Sequence, residues 1–553
     1  MLNISHHSCR YLLLAFVIYS LFFINKAFHI DDPFIIDIAK AINTKFFSMP
    51  GSFSTNPIFF SNPRLMGYYY APIIKLFGES ELWLHIFNLP FSLLVIYSMF
   101  LLSSRFAEKS LLPTLSLVVS PAFIIMSHNV MLDISLLGFF LLSIVVFIYG
   151  IDQSNNKLLF LSGVLAGVTI LIKYSGLLLI PLMLIYALLF SKKRCSVLFL
   201  LIPLAIFFLW GMHNSICYNK FGFAQVLDMR LKMWSGQVIL RRMFACFSFM
   251  SGTSIVSLFM LPFLLRNKNN LCLFLISLPV CLCFFLRKDI FADYSIFEKT
   301  LLLIFFVSSV SFTLVIFKSV FLFFLKKTCD KDKLFLSLWF IIFMIFTIFI
   351  QFVAARFVLL LLPPLFLYLY HELITHKMHL SNIFKKTAIF LISITFIIST
   401  NLAIGDYRFA EIYRNFVRLL REELLVNRKT YFCPASYSYY DSWGYAYYLN
   451  KYYPEIENHK IIKNLGKIHE DVFFILSNDS TLPIGFQGNC ALDNTDIRKV
   501  LISQYNYDSN IIIHNMKYKA GFYSDDWGLL PFKVSLQRKI IETFSIYKLV
   551  SNG

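Results

Sequence analysis

Long apolar runs, each close to the length of a membrane-spanning helix, follow one another through the first 404 residues of this 553-residue chain. The hydrocarbon core of a bilayer needs about 20 consecutive, mostly apolar residues per helix. The runs predict about thirteen spans, at approximately 11–29, 81–104, 111–127, 130–150, 158–172, 174–190, 196–217, 243–265, 270–286, 300–325, 334–352, 357–372 and 387–404. Hydrophobic residues make up 58% of the chain, against about 45–50% in soluble domains. We therefore expect an α-helical polytopic membrane protein whose transmembrane domain covers residues 1–404.

The positive charge of the chain predicts its orientation. The formal net charge is +19, but Lys and Arg form short clusters between apolar runs, without the basic domain that a nucleic-acid partner would require. Clusters around positions 10, 105–109, 192–194, 266–268, 326–333 and 377–386 all fall on one side of the predicted membrane. Because cytoplasmic loops collect Lys and Arg, that side is predicted to be the cytoplasm. The N-terminus is then cytoplasmic, the first span is uncleaved, and the first extracytoplasmic loop covers about residues 30–80.

Residues 405–553 differ in character from the apolar part of the chain. They carry polar stretches and strand-like runs such as "KTYFCP" (429–434) and "DVFFILS" (471–477). Such runs, rich in β-branched and aromatic residues, favour strands, and we expect a small α/β domain on the extracytoplasmic side. Only Cys433 and Cys490 of the ten cysteines lie in this region. Outside the cytoplasm these two could form a disulfide.

Three carboxylates stand where the predicted outer face meets the membrane. Asp31 and Asp32 follow the first apolar run, and Asp133 lies in the first turn of an otherwise apolar helix. Helix capping explains one residue of the Asp31–Asp32 pair, because Asp at the N-cap and Pro in the first turn are both favoured. Helix-terminus electrostatics is the corresponding alternative for Asp133. Two adjacent aspartates nevertheless leave one carboxylate available as a base.

Cations at the same predicted face are not explained by the positive-inside rule. Lys173 and Arg356 each lie beside apolar runs, where snorkelling to the interface is the alternative to a functional role. Ionisable residues at the membrane are costly and commonly mark a site. A second basic set lies between two predicted spans and reads mainly as an interfacial segment that meets anionic head groups; its members are Arg230, Lys232, Arg241 and Arg242.

Carboxylates and cations at one face suit the transfer of a sugar from a lipid phosphate. A carboxylate base removes the acceptor proton, and cations stabilise the charge that develops on the departing phosphate. The chain has no nucleotide-binding glycine pattern, which disfavours a nucleotide-sugar donor and favours a lipid-linked one. Asp31, Asp32 and Asp133 could also hold a divalent cation, although no ligand spacing requires it.

A series of motifs resembles the polytopic GT-C glycosyltransferases of the protein O-mannosyltransferase and lipid A aminoarabinose transferase type. The motifs are, in order, "HIDDPFIIDIAKAI", "NPRLMGYYYAPIIKLFGESELWLHIFNLPFSLL", "MLDISLLGFF", "LIKYSGLLLIP" and "ARFVLLLLPPL". The resemblance implies that Asp31 is the catalytic base, with Asp32 as its acidic neighbour and Asp133 as a second acidic position. It also places Lys173 near the donor phosphate. Where the aminoarabinose transferases have Lys-Pro-Pro, this chain has Asn62-Pro63-Arg64, and we expect Arg64 to supply the charge there.

The resemblance implies an inverting glycosyltransferase with a GT-C fold in the bacterial cytoplasmic membrane. Its donor would be a sugar on a polyprenyl phosphate such as undecaprenyl phosphate, and its acceptor a lipopolysaccharide or lipid A, another glycan, a lipid or a protein. An O-antigen ligase or polymerase is one alternative, although it would depend on basic residues in a large outer loop. A lipid or oligosaccharide transporter is the other, and it would need charges along a path through the membrane.

Overall fold

The computed structural model describes residues 6–46, 62–108, 111–219, 222–231, 235–285, 291, 293–326, 330–375, 382–423, 429–433, 443–452, 472–477 and 497–551. The chain divides into two compact units. The membrane unit comprises residues 1–24 and 35–400, and the C-terminal unit comprises residues 401–553 together with the short segment 25–34. The segment that contains Asp31 and Asp32 thus belongs to the C-terminal unit although it follows the first apolar run.

The membrane unit is built from helices throughout. They are α1 His6–Ser20, α2 Asp32–Thr44, α3 Leu65–Phe77, α4 Glu81–Phe106, α5 Leu112–Val118, α6 Pro121–Ser127, α7 Leu132–Asp152, α8 Asn156–Ile172, α9 Leu179–Phe190, α10 Leu201–Tyr218, α11 Gly222–Leu231, α12 Gly236–Thr253, α13 Ile255–Leu264, α14 Lys268–Phe285, α15 Ile296–Lys326, α16 Lys331–Phe349, α17 Ala355–Val358, α18 Leu362–Thr375 and α19 Asn382–Glu423. Short 3₁₀ helices occupy Leu21–Phe23, Tyr174–Leu178 and Arg194–Leu200. The predicted α-helical polytopic class is confirmed.

Six helices of the described chain are long and apolar enough to cross a membrane, or seven if a bent pair forms one span. The pair is α12 and α13, which the sequence predicted as one span at 243–265 and which bend by 90° at Ser254. The predicted span 111–127 is divided into α5 and α6, because Ser120 caps α6 and Pro121 begins it. The chain is therefore a multi-pass membrane protein, and the total of thirteen spans stays a prediction.

Helix α7 is largely enclosed by other helices of the membrane unit. It packs against α4 and α8, and most of its residues are buried. A helix that is apolar all round is expected to be enclosed by its neighbours. This placement encloses the first turn of α7, which carries Asp133.

The C-terminal unit contains a mixed four-stranded sheet and one further helix, α20 (Trp443–Tyr452). The sheet is made of β1 Lys429–Cys433, β2 Val472–Ser477, β3 Ile497–Ile512 and β6 Lys533–Ser551, in the order β1-β2-β6-β3. β1 runs parallel to β2, and the other pairs are antiparallel. A small ladder joins β4 (His514–Asn515) to β5 (Ala520–Gly521). The predicted α/β character is confirmed, and both predicted strand runs form strands.

The orientation can be tested with two cysteines at opposite ends of the candidate span Cys195–Tyr218. Cys195 and Cys217 are both exposed, and the cluster 192–194 beside Cys195 is predicted to be cytoplasmic. In variants that keep one cysteine each, we expect a membrane-impermeant maleimide to label Cys217 in sealed right-side-out vesicles. Cys195 should be labelled only after permeabilisation. The reverse pattern would show that the predicted orientation is inverted.

Candidate functional site

Asp133, Lys173 and Arg356 meet in the membrane unit, although they come from three separate elements. Lys173 Nζ donates to Asp133 Oδ1 at 2.8 Å, and Arg356 Nη1 lies 3.9 Å from Asp133 Oδ2. The side chains of Asp133 and Arg356 are only 5% and 6% exposed, and that of Lys173 is 14% exposed. We call these three residues the Asp133 group. The structure thus joins three residues that the sequence had singled out separately.

The backbone around Lys173 explains how this cation reaches the carboxylate. α8 ends at Ile172, and Lys173 adopts an extended conformation before the 3₁₀ helix Tyr174–Leu178 begins. Gly176 makes this turn fit, because a Cβ on it would lie 2.7 Å from the backbone nitrogen of Ile170. A side chain at 176 would therefore push the 3₁₀ helix away from α8 and displace Lys173.

The ring of Phe357 lies beside both cations of the Asp133 group. Lys173 Nζ is 4.6 Å from its centroid and Arg356 Cζ is 5.2 Å from it. Arg356 Nη1 also lies 3.3 Å from the sulfur of Met131. Aromatic faces attract cations, so two positive charges are held close together against a single carboxylate. The group carries one positive charge in excess and suits a phosphate anion.

Side chains that sequence reasoning missed hold the loop in front of Asp133. Asn88 Nδ2 donates to the carbonyl of Asn129 at 2.7 Å, and Tyr70 donates to Asn88 Oδ1 at 3.0 Å. These residues are buried. They connect α3 and α4 to the loop that begins α7. Amides and hydroxyls are common in loops and helices, so only their burial beside an aspartate would have indicated this role.

Arg64 lies just before α3 and is buried. It donates to the hydroxyl of Tyr218 at 2.7 Å, and its guanidinium lies 4.6 Å from the centre of the same ring. Tyr218 is the last residue of α10. Arg64 therefore belongs to a second cationic position, which α10 helps to fix.

The second basic set divides in the structure. Arg242 lies in α12, is buried and donates to the carbonyl of Gln351, five residues before Arg356. Its contact with lipid head groups or phosphate stays a prediction. Arg241 is partly exposed, Arg230 lies in α11, and Lys232 falls outside the described residues.

Asp31 and Asp32 differ sharply in their surroundings within the C-terminal unit. Asp32 is fully buried and begins α2, and its Oδ2 accepts from the backbone N–H of His29 at 3.3 Å and lies 3.4 Å from His29 Nδ1. Asp31 is only partly buried. Asp31 is thus the more exposed member of the pair, whereas Asp32 is held against His29.

The carboxylates of Asp133 and Asp32 each contact basic side chains of the protein. Asp133 contacts two cations, and Asp32 contacts His29. Across the described ranges, no group of three or more His, Cys, Asp or Glu side chains is placed to hold a metal ion. Cys490 lies outside the described residues, and so does the suggested pairing with Cys433. We derive no step of the proposed reaction through a divalent cation.

We expect Asp133→Asn to destabilise the protein strongly. Removal of one partner from a buried ion pair costs about 3–5 kcal/mol because the other charge stays buried. Asp152→Asn is a matched control at the other end of α7, since Asp152 pairs with Arg105 at a much more exposed position and such pairs contribute about 0–1 kcal/mol. Thermal unfolding of the purified variants checks this. Equal losses of Tm would contradict the assigned burial, and Asp133→Asn combined with Lys173→Met should recover part of the loss.

A pH dependence is expected from Asp37, which lies in α2 and outside the spanning segments. Burial raises the pKa of this carboxyl to about 6. At pH values between the ordinary pKa of an aspartate and about 6, the folded protein therefore binds more protons than the unfolded chain. The stability of the folded protein falls as the pH rises through that window. Asp37→Asn should therefore raise Tm at pH 7, and the gain should shrink towards pH 4. A gain that does not change with pH would rule out this cause.

Comparison with known families and structures gives three findings. Residues 61–213 match the family model described as "Dolichyl-phosphate-mannose-protein mannosyltransferase", which confirms the resemblance over that range. Two structures of ArnT from Cupriavidus metallidurans, one bound to undecaprenyl phosphate and one in the apo state, are similar with a TM-score of 0.45 and 13% sequence identity, over 98% of each chain. No curated protein matches the chain.

Proposed function

We propose that this protein is an inverting glycosyltransferase that moves a sugar from a polyprenyl phosphate to a cell-surface acceptor. The Asp133 group carries the proposal, because one buried and one partly buried cation against a single carboxylate suit the phosphate of such a donor. The range 61–213 that matches the mannosyltransferase model contains Arg64, Asp133 and Lys173. The family description supports a lipid-phosphate-linked sugar as the donor class.

The proposed reaction is a single displacement. Asp31 takes the proton of the acceptor hydroxyl, and the oxygen attacks the anomeric carbon from the face opposite the phosphate. The bond between that carbon and the phosphate oxygen breaks, and its electron pair leaves with the polyprenyl phosphate. The phosphate thereby changes from a diester with one negative charge to a monoester that can carry two.

Lys173 and Arg356 are proposed to stabilise this increase in charge. Fixed cations in a water-poor environment act more strongly than they do in water. Asp133 keeps Lys173 in position through the 2.8 Å contact. Arg64, held by Tyr218, is proposed as a further contact of the donor phosphate. Asp31 is assigned as the base rather than Asp32, because Asp32 is buried against His29.

The reaction is placed at the outer face of the bacterial cytoplasmic membrane, with the N-terminus in the cytoplasm. This location rests on the distribution of Lys and Arg in the loops. The acceptor is proposed to be a lipopolysaccharide or lipid A, another surface glycan, a lipid or a protein. These classes share a hydroxyl group that Asp31 could deprotonate.

The experiment that tests the function uses purified protein with a panel of polyprenyl-phosphate sugars and candidate acceptors. Release of free polyprenyl phosphate is followed by mass spectrometry, and the stereochemistry of the product by NMR. Release together with an inverted anomeric centre would support the proposal. Transport of substrate across vesicles without a new glycosidic bond would instead favour a transporter.

Two substitutions should separate chemistry from donor binding. Asp31→Asn is expected to lower kcat by about 10²–10⁴-fold and to leave binding of polyprenyl phosphate unchanged, since only the base is lost. Lys173→Met should weaken polyprenyl phosphate binding by about 10–100-fold, because a charge-assisted contact contributes about 1.5–3 kcal/mol. Asp37→Asn, the same substitution within the helix α2 that follows Asp31, is the matched control for Asp31→Asn. Near-normal turnover by folded Asp31→Asn would remove Asp31 from the role of base.

A further inference from the structure

The turn that carries Asp31 and Asp32 is strained. Ile30, between His29 and Asp31, has a φ of +52°. This left-handed conformation is unfavourable for a β-branched residue. Such a turn persists only where its surroundings fix it, and the contacts of residues 25–32 show what does so.

A buried polar network holds the turn from one side. It consists of Lys26, His29, Asp406 and Tyr523, and we call it the Asp406 network. Lys26 Nζ forms an ion pair with Asp406 Oδ2, His29 Nε2 lies 3.2 Å from Asp406 Oδ1, and the Tyr523 hydroxyl donates to Asp406 Oδ1 at 2.9 Å. The side chains of the first three residues are no more than 2% exposed. Within the C-terminal unit, Asp406 thus joins α19 to two residues of the turn.

The backbone of the same segment is held at further points. The Phe28 N–H donates to the hydroxyl of Tyr448 at 2.8 Å, and Arg414 Nη2 donates to the carbonyl of Asn25 at 3.0 Å. The Phe28 ring packs edge-on against Tyr447, with centroids 5.6 Å apart. Residues of α19 and α20 therefore fix this segment at both its start and its middle.

His29 connects the Asp406 network to the aspartates. One ring nitrogen faces Asp406, and the other, Nδ1, lies 3.4 Å from Asp32 Oδ2. The backbones are also joined, since the Asp32 N–H donates to the His29 carbonyl at 3.1 Å and the His29 N–H donates to Asp32 Oδ2. His29 thus lies between Asp406 and the first residue of α2, and its backbone is bonded to Asp32 in both directions.

We propose that Asp406 is a positioning residue for the reaction, acting through His29 on the turn that presents Asp31. This inference rests on the proposed function, because it assigns Asp406 a task only if Asp31 is the base. Asp406 does not touch the substrate in this scheme. It keeps the strained turn, within the C-terminal unit, in the arrangement in which Asp31 acts as the base.

Loss of a buried ion pair with a purely structural role would lower stability without changing the chemistry of the molecules that fold. Loss of a positioning residue would lower kcat in folded molecules, because a displacement of about 1 Å can cost about 10²-fold in rate. The test therefore compares kcat with KM for the donor in detergent-purified, monodisperse full-length protein. Hydrogen–deuterium exchange of residues 25–34 reports on the turn independently of activity.

We expect Asp406→Asn to lower kcat by about 10–100-fold, to change KM for the donor by less than about twofold, and to speed exchange over residues 25–34. Asp508→Asn is the matched control, because it makes the same substitution in the same unit, at an exposed aspartate that pairs with Arg538 and has no part in the Asp406 network. It should keep the kcat and exchange of wild-type protein. Should Asp406→Asn fail to fold, Tyr523→Phe removes a single hydroxyl from Asp406 and should lower kcat by a smaller factor, about 3–10-fold.

The following results would contradict either the positioning role of Asp406 or the proposed function. Wild-type kcat in folded Asp406→Asn or Tyr523→Phe overturns the positioning role, and so does unchanged exchange over residues 25–34. An increase in KM without a fall in kcat assigns the residue to donor binding and overturns the inference. If wild-type protein consumes no donor, the proposed function fails and takes the catalytic part with it, whereas the exchange data still decide whether Asp406 holds the turn.

Discussion

A charge buried in apolar surroundings has to be met by an opposite charge, and the membrane unit depends on this constraint at the start of α7. Asp133 lies at the head of an enclosed apolar helix, where an unpaired carboxylate would be very costly. Lys173 and Arg356, which lie in two other elements, offset that cost by their ion contacts with Asp133. The ends of α8 and α17 are placed so that their cations can reach one carboxylate. The excess positive charge that results is the feature on which the proposed donor site is built.

The helical membrane class could be predicted from the sequence, because a bilayer imposes a minimum apolar length on each span. Lys173 and Arg356 could be recognised for a related reason, since their charges were not explained by orientation. The bend at Ser254 was not predicted, because 243–265 was taken as one apolar span although the stretch Ser251–Ser254, with a glycine beside serines, interrupts the run where the bend occurs. Nor was the burial of Arg242 predicted, since the residues next to it give no sign of the Gln351 carbonyl that it bonds.

The Asp406 network escaped sequence reasoning for a different reason. Asp406 follows an apolar run and reads as the first polar residue beyond a span, which needs no special explanation. Its partners His29 and Tyr523 are 377 and 117 residues away along the chain. Burial alone distinguishes it from an ordinary interfacial aspartate. The two long strands β3 and β6 were missed because polar residues interrupt their apolar pattern, as in Gln504–Asp508.

The separation between His29 and Tyr523 has a consequence for biosynthesis. The two residues are 494 positions apart, and chains are made from the N-terminus at about 5–20 residues per second. About 25–100 s therefore pass between synthesis of the turn and synthesis of its last partner. During that time the contacts that hold Ile30 in its left-handed conformation are incomplete. The aspartates of the nascent protein reach their final geometry only after Tyr523 has been synthesised, so a chain truncated before this residue would contain the residues of the turn without its shape.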